Sequence, residues 1–159
     1  MNQSQSIIIQ VLQHIPLFSG LDVAALETMT QIAEDLCFAK DKIIFPEGSE
    51  GTSMMIIISG EVRITQMTGQ KREEALCVLK KGDFFGEMAM LEAQPRSATA
   101  IAHSDAYLLE ITRENFLGFI RQHPQSGAAI LLNLARILSA RLREADAKIK
   151  TFVNLSQWI

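Results

Sequence analysis

The sequence predicts a mainly β domain: a jelly-roll barrel of the double-stranded β-helix kind, with N-terminal helices before it and one long helix after it. Three observations predict this. Over residues 36–111 apolar and polar residues alternate in short runs, as in Val62 and Ile64 against Glu61, Arg63 and Thr65. Turn chemistry separates those runs at near-regular spacing. On either side, residues 7–34 and 112–155 carry apolar residues at helical spacing, and no long helix interrupts the middle to suggest a parallel α/β sheet.

The first stretch has Ile8, Val11, Leu12 and Ile15, then Leu26, Met29, Ile32 and Ala33. Pro16 and Gly20 divide it into two short helices, and Asp22 stands where the second needs an N-cap. In the β stretch the turns fall at Lys40-Asp41, Glu47-Gly48, Ser59-Gly60, Thr68-Gly69 and Lys81-Gly82-Asp83. Tyr107, Leu109 and Ile111 mark the last strand. Thr112, with Asn115 and Phe116, starts a short helix, and Pro124 opens the long one. The long helix has a stripe through Ile130, Leu131, Leu134, Ile137, Leu138, Leu142, Ala145, Ile149 and Phe152. Leu131, Leu134, Leu138, Leu142 and Ala145 lie close to a heptad seam. That spacing suits a parallel homodimer, and packing on the chain's own barrel is the other use of the same stripe.

Composition narrows the function. The 159 residues, 48% of them hydrophobic, suffice for one domain with a real core. A net charge of -3 argues against a nucleic-acid surface. No apolar run is long enough to span a bilayer, and the start lacks a signal peptide's basic lead-in, so a cytoplasmic protein is expected. Cys37 and Cys77 sit among apolar residues and read as buried free thiols. The three histidines, His14, His103 and His123, make no metal spacing. No arrangement positions a base or nucleophile, so no enzyme is expected.

The chemistry concentrates in residues 82–98, which run Gly-Asp-Phe-Phe-Gly-Glu-Met-Ala-Met-Leu-Glu-Ala-Gln-Pro-Arg-Ser-Ala. Gly86 permits close backbone approach, and the residues after it can form one helical turn whose free amides and dipole suit an anion. Arg96 offers a planar fork to anionic oxygens, and Ser97 adds a hydroxyl. Glu87 repels that anion but can accept hydrogen bonds from a sugar hydroxyl beside it. Each residue also has an ordinary use. Arg96 could pair with Glu87 or Glu92, Glu87 could be a solvated surface acid, and Met88 and Met90 could be core filler, with only one of them near a ligand.

This segment closely resembles the phosphate-binding cassette of the cyclic nucleotide-binding domain family, which includes catabolite-activator regulators, kinase regulatory subunits and nucleotide-gated channels. The resemblance runs over residues 12–150. Pro16-Leu17-Phe18-Ser19-Gly20-Leu21 is similar to the family's entry helices. Ile44-Phe45-Pro46-Glu47-Gly48 and Ile56-Ile57-Ile58-Ser59-Gly60-Glu61-Val62 are similar to its early strands. It implies that Glu87 takes the ribose 2′-hydroxyl and Arg96 the exocyclic phosphate oxygens. Phe85, Gly86, Met88, Ala89, Ser97 and Ala98 would complete the pocket. It also implies that the long helix closes over the base, with Leu142, Ala145 and Asp146 the positions that could face it. Asp146 could equally pair with Lys150, and Trp158 could cap the base or pack back on the core. Ser97 stands where members favouring cyclic GMP (cGMP) often carry threonine, which tilts the implied ligand to cyclic AMP (cAMP) and leaves cGMP open.

Two departures, Asp41 in the first hairpin and Met54-Met55 ahead of the isoleucine run, lie away from the phosphate. In the transcription regulators a helix-turn-helix follows the long helix. This chain ends at Ile159, so none is expected, and a signal would leave through a partner protein or the dimer. A degenerate member serving as a dimerising scaffold, and a sensor of another small molecule, are the alternative readings.

Overall fold

The computed structural model describes residues 3–67 and 73–156. The turn expected at Thr68-Gly69 and the possible cap Trp158 lie outside them. The chain opens with helix α1 (Gln3–Gln13), a 3-10 turn (Pro16–Phe18) and helix α2 (Val23–Ile32). Asp22 caps α2, accepting from the Ala25 amide at 2.8 Å. Helix α1 begins four residues before the apolar spacing does, because Gln and Ser, though polar, break no helix.

Among the described residues eight strands follow: β1 (Glu34–Phe38), β2 (Ile43–Phe45), β3 (Ser53–Ser59), β4 (Glu61–Met67), β5 (Glu73–Lys80), β6 (Phe84–Phe85), β7 (Thr99–Ala102) and β8 (Ala106–Thr112). A short helix, α3 (Glu87–Glu92), separates β6 from β7. The strands form two antiparallel four-stranded sheets, ordered β1-β8-β3-β6 and β2-β7-β4-β5. The turns come where their residues require them. Asp41 (φ 65°), Gly48 (φ 77°), Gly60 (φ 85°) and Gly82 (φ 90°) all adopt the left-handed region.

The first sheet lies between two apolar layers, and β3 shows why its sequence is a continuous apolar run rather than an alternating one. Met54, Ile56 and Ile58 point to a core shared with α1, α2 and the C-terminal helices. Met55 and Ile57 point inward, to Val62, Phe85, Ala100, Ala102 and Leu108 of the roll. Phe84 and Phe85 divide in the same way between the two cores.

After β8 come α4 (Arg113–Gln122), capped by Thr112 through the Asn115 amide at 3.2 Å, and α5 (Pro124–Ser156), 33 residues long. Ile130 and Leu134 of α5 are buried in the helical core, and Ile137 and Leu138 pack beside them. No helix among the described residues is long and apolar enough to cross a membrane.

The thiols correct the sequence reading: Cys37 and Cys77 are both exposed. Their apolar neighbours misled, because β1 and β5 are edge strands and leave a flank uncovered.

Candidate functional site: a charged pocket between the roll and the long helix

Arg96 is fixed first by its own backbone. Its amide donates to Ser49 O and its carbonyl accepts from Gly48, each at 2.8 Å, so the loop at 46–49 holds it from both sides. Its guanidinium lies over the Phe45 ring, 4.1 Å from the centroid. Nη1 donates to Ser53 O at 2.6 Å and to Gly86 O at 3.0 Å, and Nη2 donates to Ser53 Oγ at 2.9 Å. Nε has no partner among the described residues, and Arg96 is only 6% exposed. Burial draws the Arg96 pKa down while the Glu110 and Glu87 carboxylates hold it up. A guanidinium remains charged in such a setting.

Gly86 makes this approach possible. Its φ of 79° favours glycine, and a Cβ there would stand 2.5 Å from Arg96 Nη1. The first helical bond of α3 runs from Met90 N to Gly86 O at 3.4 Å, so the amides of Met88 and Ala89 precede it. Gly51 is a further close contact, absent from the sequence reading. A Cβ there would fall 2.1 Å from that of Ala89, so the loop before β3 seats α3 against the roll.

Glu87, the first residue of α3, is 5% exposed rather than a solvated surface acid. It does not pair with Arg96. Its Oε1 accepts from Arg141 Nη1 at 3.1 Å, while Arg141 Nη2 donates to Phe84 O at 3.0 Å and the guanidinium stacks on the Phe84 ring. Burial pushes the Glu87 carboxyl above the usual range, against its own backbone amide and then Arg141, which pull it down.

These groups border a cavity of about 390 Å³, within the range of small-molecule sites. Phe85, Gly86, Glu87, Met88, Ala89, Arg96, Ser97 and Ala98 all line it, while Met90 is turned into the core. From α5 come Arg141, Glu144, Ala145 and Lys148. Leu142 and Asp146, which could have faced a base, are not on this lining; both are exposed. The reason is helical phase. Positions 130, 134, 137, 141, 145 and 148 share one face, which covers the core and then the pocket, whereas 142 and 146 lie 100° or more around the helix. The ion pair on this stretch is Glu144 with Lys148 at 2.9 Å, not Asp146 with Lys150. Cys77 stands on the pocket wall; although it is exposed, the surrounding walls push its thiol up against the pull of Arg141 and Lys148.

Sequence reasoning missed Phe45, Ser53 and Arg141 as parts of the site. Phe45 was visible only as a strand residue, and Arg141 only as a charge at an apolar-face position of a helix. Among the described residues no group of three or more side chains could hold a metal ion.

Two antiparallel sheets, a cassette with a buried arginine and carboxylate, and a long helix over the pocket define a β-roll ligand-binding domain. The chain belongs to the cyclic nucleotide-binding domain family, whose model matches residues 36–123. It is 37% identical to the cyclic AMP receptor protein of Thermus thermophilus, over 84% of this chain and 60% of that protein. The crystal structure of the Thermus thermophilus catabolite activator protein superposes with a TM-score of 0.78 at 34% identity, covering 86% of this chain and 62% of that one. The regulatory domain of Toxoplasma gondii PKA, co-crystallised with cAMP, superposes with a TM-score of 0.68 at 27% identity, covering 75% and 46%. The chain thus spans about 60% of the length of the first of these relatives.

Proposed function

We propose that this protein binds a cyclic nucleotide, cAMP in preference to cGMP, and acts as a regulatory module. One observation carries the reading. A buried guanidinium with an unpartnered Nε lines an open pocket beside a buried carboxylate. An orphaned buried donor is costly, and an anionic oxygen relieves that cost. Arg96, with the amides of Met88 and Ala89, would hold the phosphate, and Glu87 the ribose hydroxyl. Phe85, Gly86, Ser97 and Ala98 would wall the sugar phosphate, and Ala145, Leu76 and Leu79, which also line the pocket, would flank the base. The cAMP in the Toxoplasma gondii co-crystal supports this choice of ligand class.

Arg141 gives the binding event a route outward. It bridges α5 to Glu87 and Phe84, so a ligand that takes part of Glu87 acts directly on the helix anchor. Binding then favours one placement of α5 over another, a population shift driven by differential contacts. A homodimer along α5, or a protein effector in the cytoplasm, would receive it. Titration calorimetry with cAMP and cGMP tests the reading. Saturable binding with cAMP the tighter is expected. No heat with either overturns it in favour of a scaffold, and a larger thermal shift with a non-nucleotide metabolite overturns it in favour of another ligand.

A further inference from the structure

Arg96 does not hold its place alone. Its Nη2 donates to Ser53 Oγ at 2.9 Å, and Ser53 Oγ donates in turn to Glu110 Oε1 at 2.5 Å. Chemistry fixes the direction of this chain. A guanidinium has no acceptor, so the serine must offer Arg96 a lone pair and give its only proton to the carboxylate. The Ser53 carbonyl also takes Nη1 at 2.6 Å, so one residue, 2% exposed, holds both terminal nitrogens of the fork. Its partner Glu110 sits on the neighbouring strand, where β3 pairs with β8 in a register that sets Ser53 against Thr112 and Met55 against Glu110. Both anchors thus stand on sheet, not loop. Neither belongs to the cassette, and they lie 43 and 14 positions from Arg96 in sequence.

We propose that Ser53 and Glu110 are positioning residues of the anion site. Glu110 orients the Ser53 hydroxyl, and Ser53 holds the guanidinium so that Nε remains available to a phosphate oxygen. This rests on the cyclic-nucleotide reading above. An unpartnered Ser53 hydroxyl could rotate and present its proton to Arg96, turning an attraction into a repulsion. The orienting role needs an acceptor at position 110 and not a charge.

Affinity of the full chain for cAMP, measured by calorimetry and by displacement, tests this in Ser53→Ala, Glu110→Ala and Glu110→Gln, alone and combined with Arg96→Lys. Ser53→Ala and Glu110→Ala should weaken binding by about ten- to a hundredfold, the worth of a hydrogen bond to a charged group. Glu110→Gln keeps an acceptor and should stay within about threefold of the unsubstituted chain. In the Arg96→Lys background the effects of Ser53→Ala and Glu110→Ala should largely vanish, because they act through the planar fork. Should Ser53→Ala fail to fold, the two Glu110 variants decide the matter at a partly exposed position. Unchanged affinity in Glu110→Ala, equal losses in Glu110→Ala and Glu110→Gln, or full additivity with Arg96→Lys overturns the proposal while the function stands. Absence of binding by the unsubstituted chain overturns the function and the proposal together.

Discussion

At the scale of single residues, the site depends on two buried charges that do not pair with each other. Arg96 is held by carbonyls and a hydroxyl, Glu87 by Arg141. Arg96→Ala is expected to weaken cAMP binding by more than about a hundredfold, because leaving a buried charge without its partner costs about 3–5 kcal/mol. Calorimetry, with the thermal midpoint as a control for folding, checks this. Glu87 makes a pH prediction with two signs. Its carboxyl titrates above its ordinary 4.5 in the folded chain, chiefly from burial. The stability it contributes is therefore complete below 4.5 and is lost as pH rises through the folded value. Ligand grip runs the other way, since the ionised form accepts from the sugar hydroxyl: affinity should fall as pH is lowered through that same raised value. Unfolding midpoints and affinities across pH, compared with Glu87→Gln, check both. Identical profiles in the two proteins would contradict them.

At the scale of elements, what the sequence revealed was local and what it concealed was tertiary. The caps at Asp22 and Thr112 and the left-handed turns at Asp41 and Gly60 are dictated by residues within a few positions of one another, and all were legible. So was the cassette, because β6, α3 and the turn leading into β7 bring eight near neighbours onto one pocket. Phe45, Ser53 and Arg141 were not, because strand pairing carries Phe45 and Ser53 across 51 and 43 positions to meet Arg96, and helix docking carries Arg141 across 54 positions to meet Glu87. The two thiols were misread for a similar reason. Apolar neighbours in sequence do not say which strand closes a sheet. Arg141 also carries the prediction for α5. Arg141→Ala leaves Glu87 buried without its cation and removes the stack on Phe84. Because Arg141 is 38% exposed, solvent reduces the loss to about 1–2 kcal/mol. Denaturant titration checks the value, and adding Glu87→Gln should recover much of it. Hydrogen exchange in the second half of α5 should rise in the single variant.

At the scale of the whole molecule, α5 divides between two faces the apolar residues that the sequence placed on one stripe, for which core packing and a dimer seam were both expected. Ile130, Leu134 and Ile137 lie on the face turned to the core, which continues as Arg141 and Ala145 over the pocket. Leu131, Leu142 and Ile149 form a second line about 100° away, and Leu142 and Ile149 are 64% and 61% exposed. That line follows the heptad spacing of a two-helix seam. Leu142→Glu with Ile149→Glu should therefore convert the proposed homodimer to monomers by sedimentation, with cAMP affinity per chain changed by less than about threefold, since neither residue lines the pocket. A dimer that survives both substitutions would place the seam elsewhere.

The 33 residues of α5 amount to a rod about 50 Å long, gripped by the core over its first half and by Arg141 where that grip ends. The stretch beyond Arg141, which passes the pocket at Glu144, Ala145 and Lys148, runs on for about 22 Å. Pivoting at the guanidinium by about ten degrees would sweep its tip through about 4 Å, enough to exchange one set of side-chain contacts for another. If a ligand at Glu87 resets the Arg141 contact, a rotation that small at the anchor would arrive at the far end of the rod as a distance that a neighbouring molecule can register.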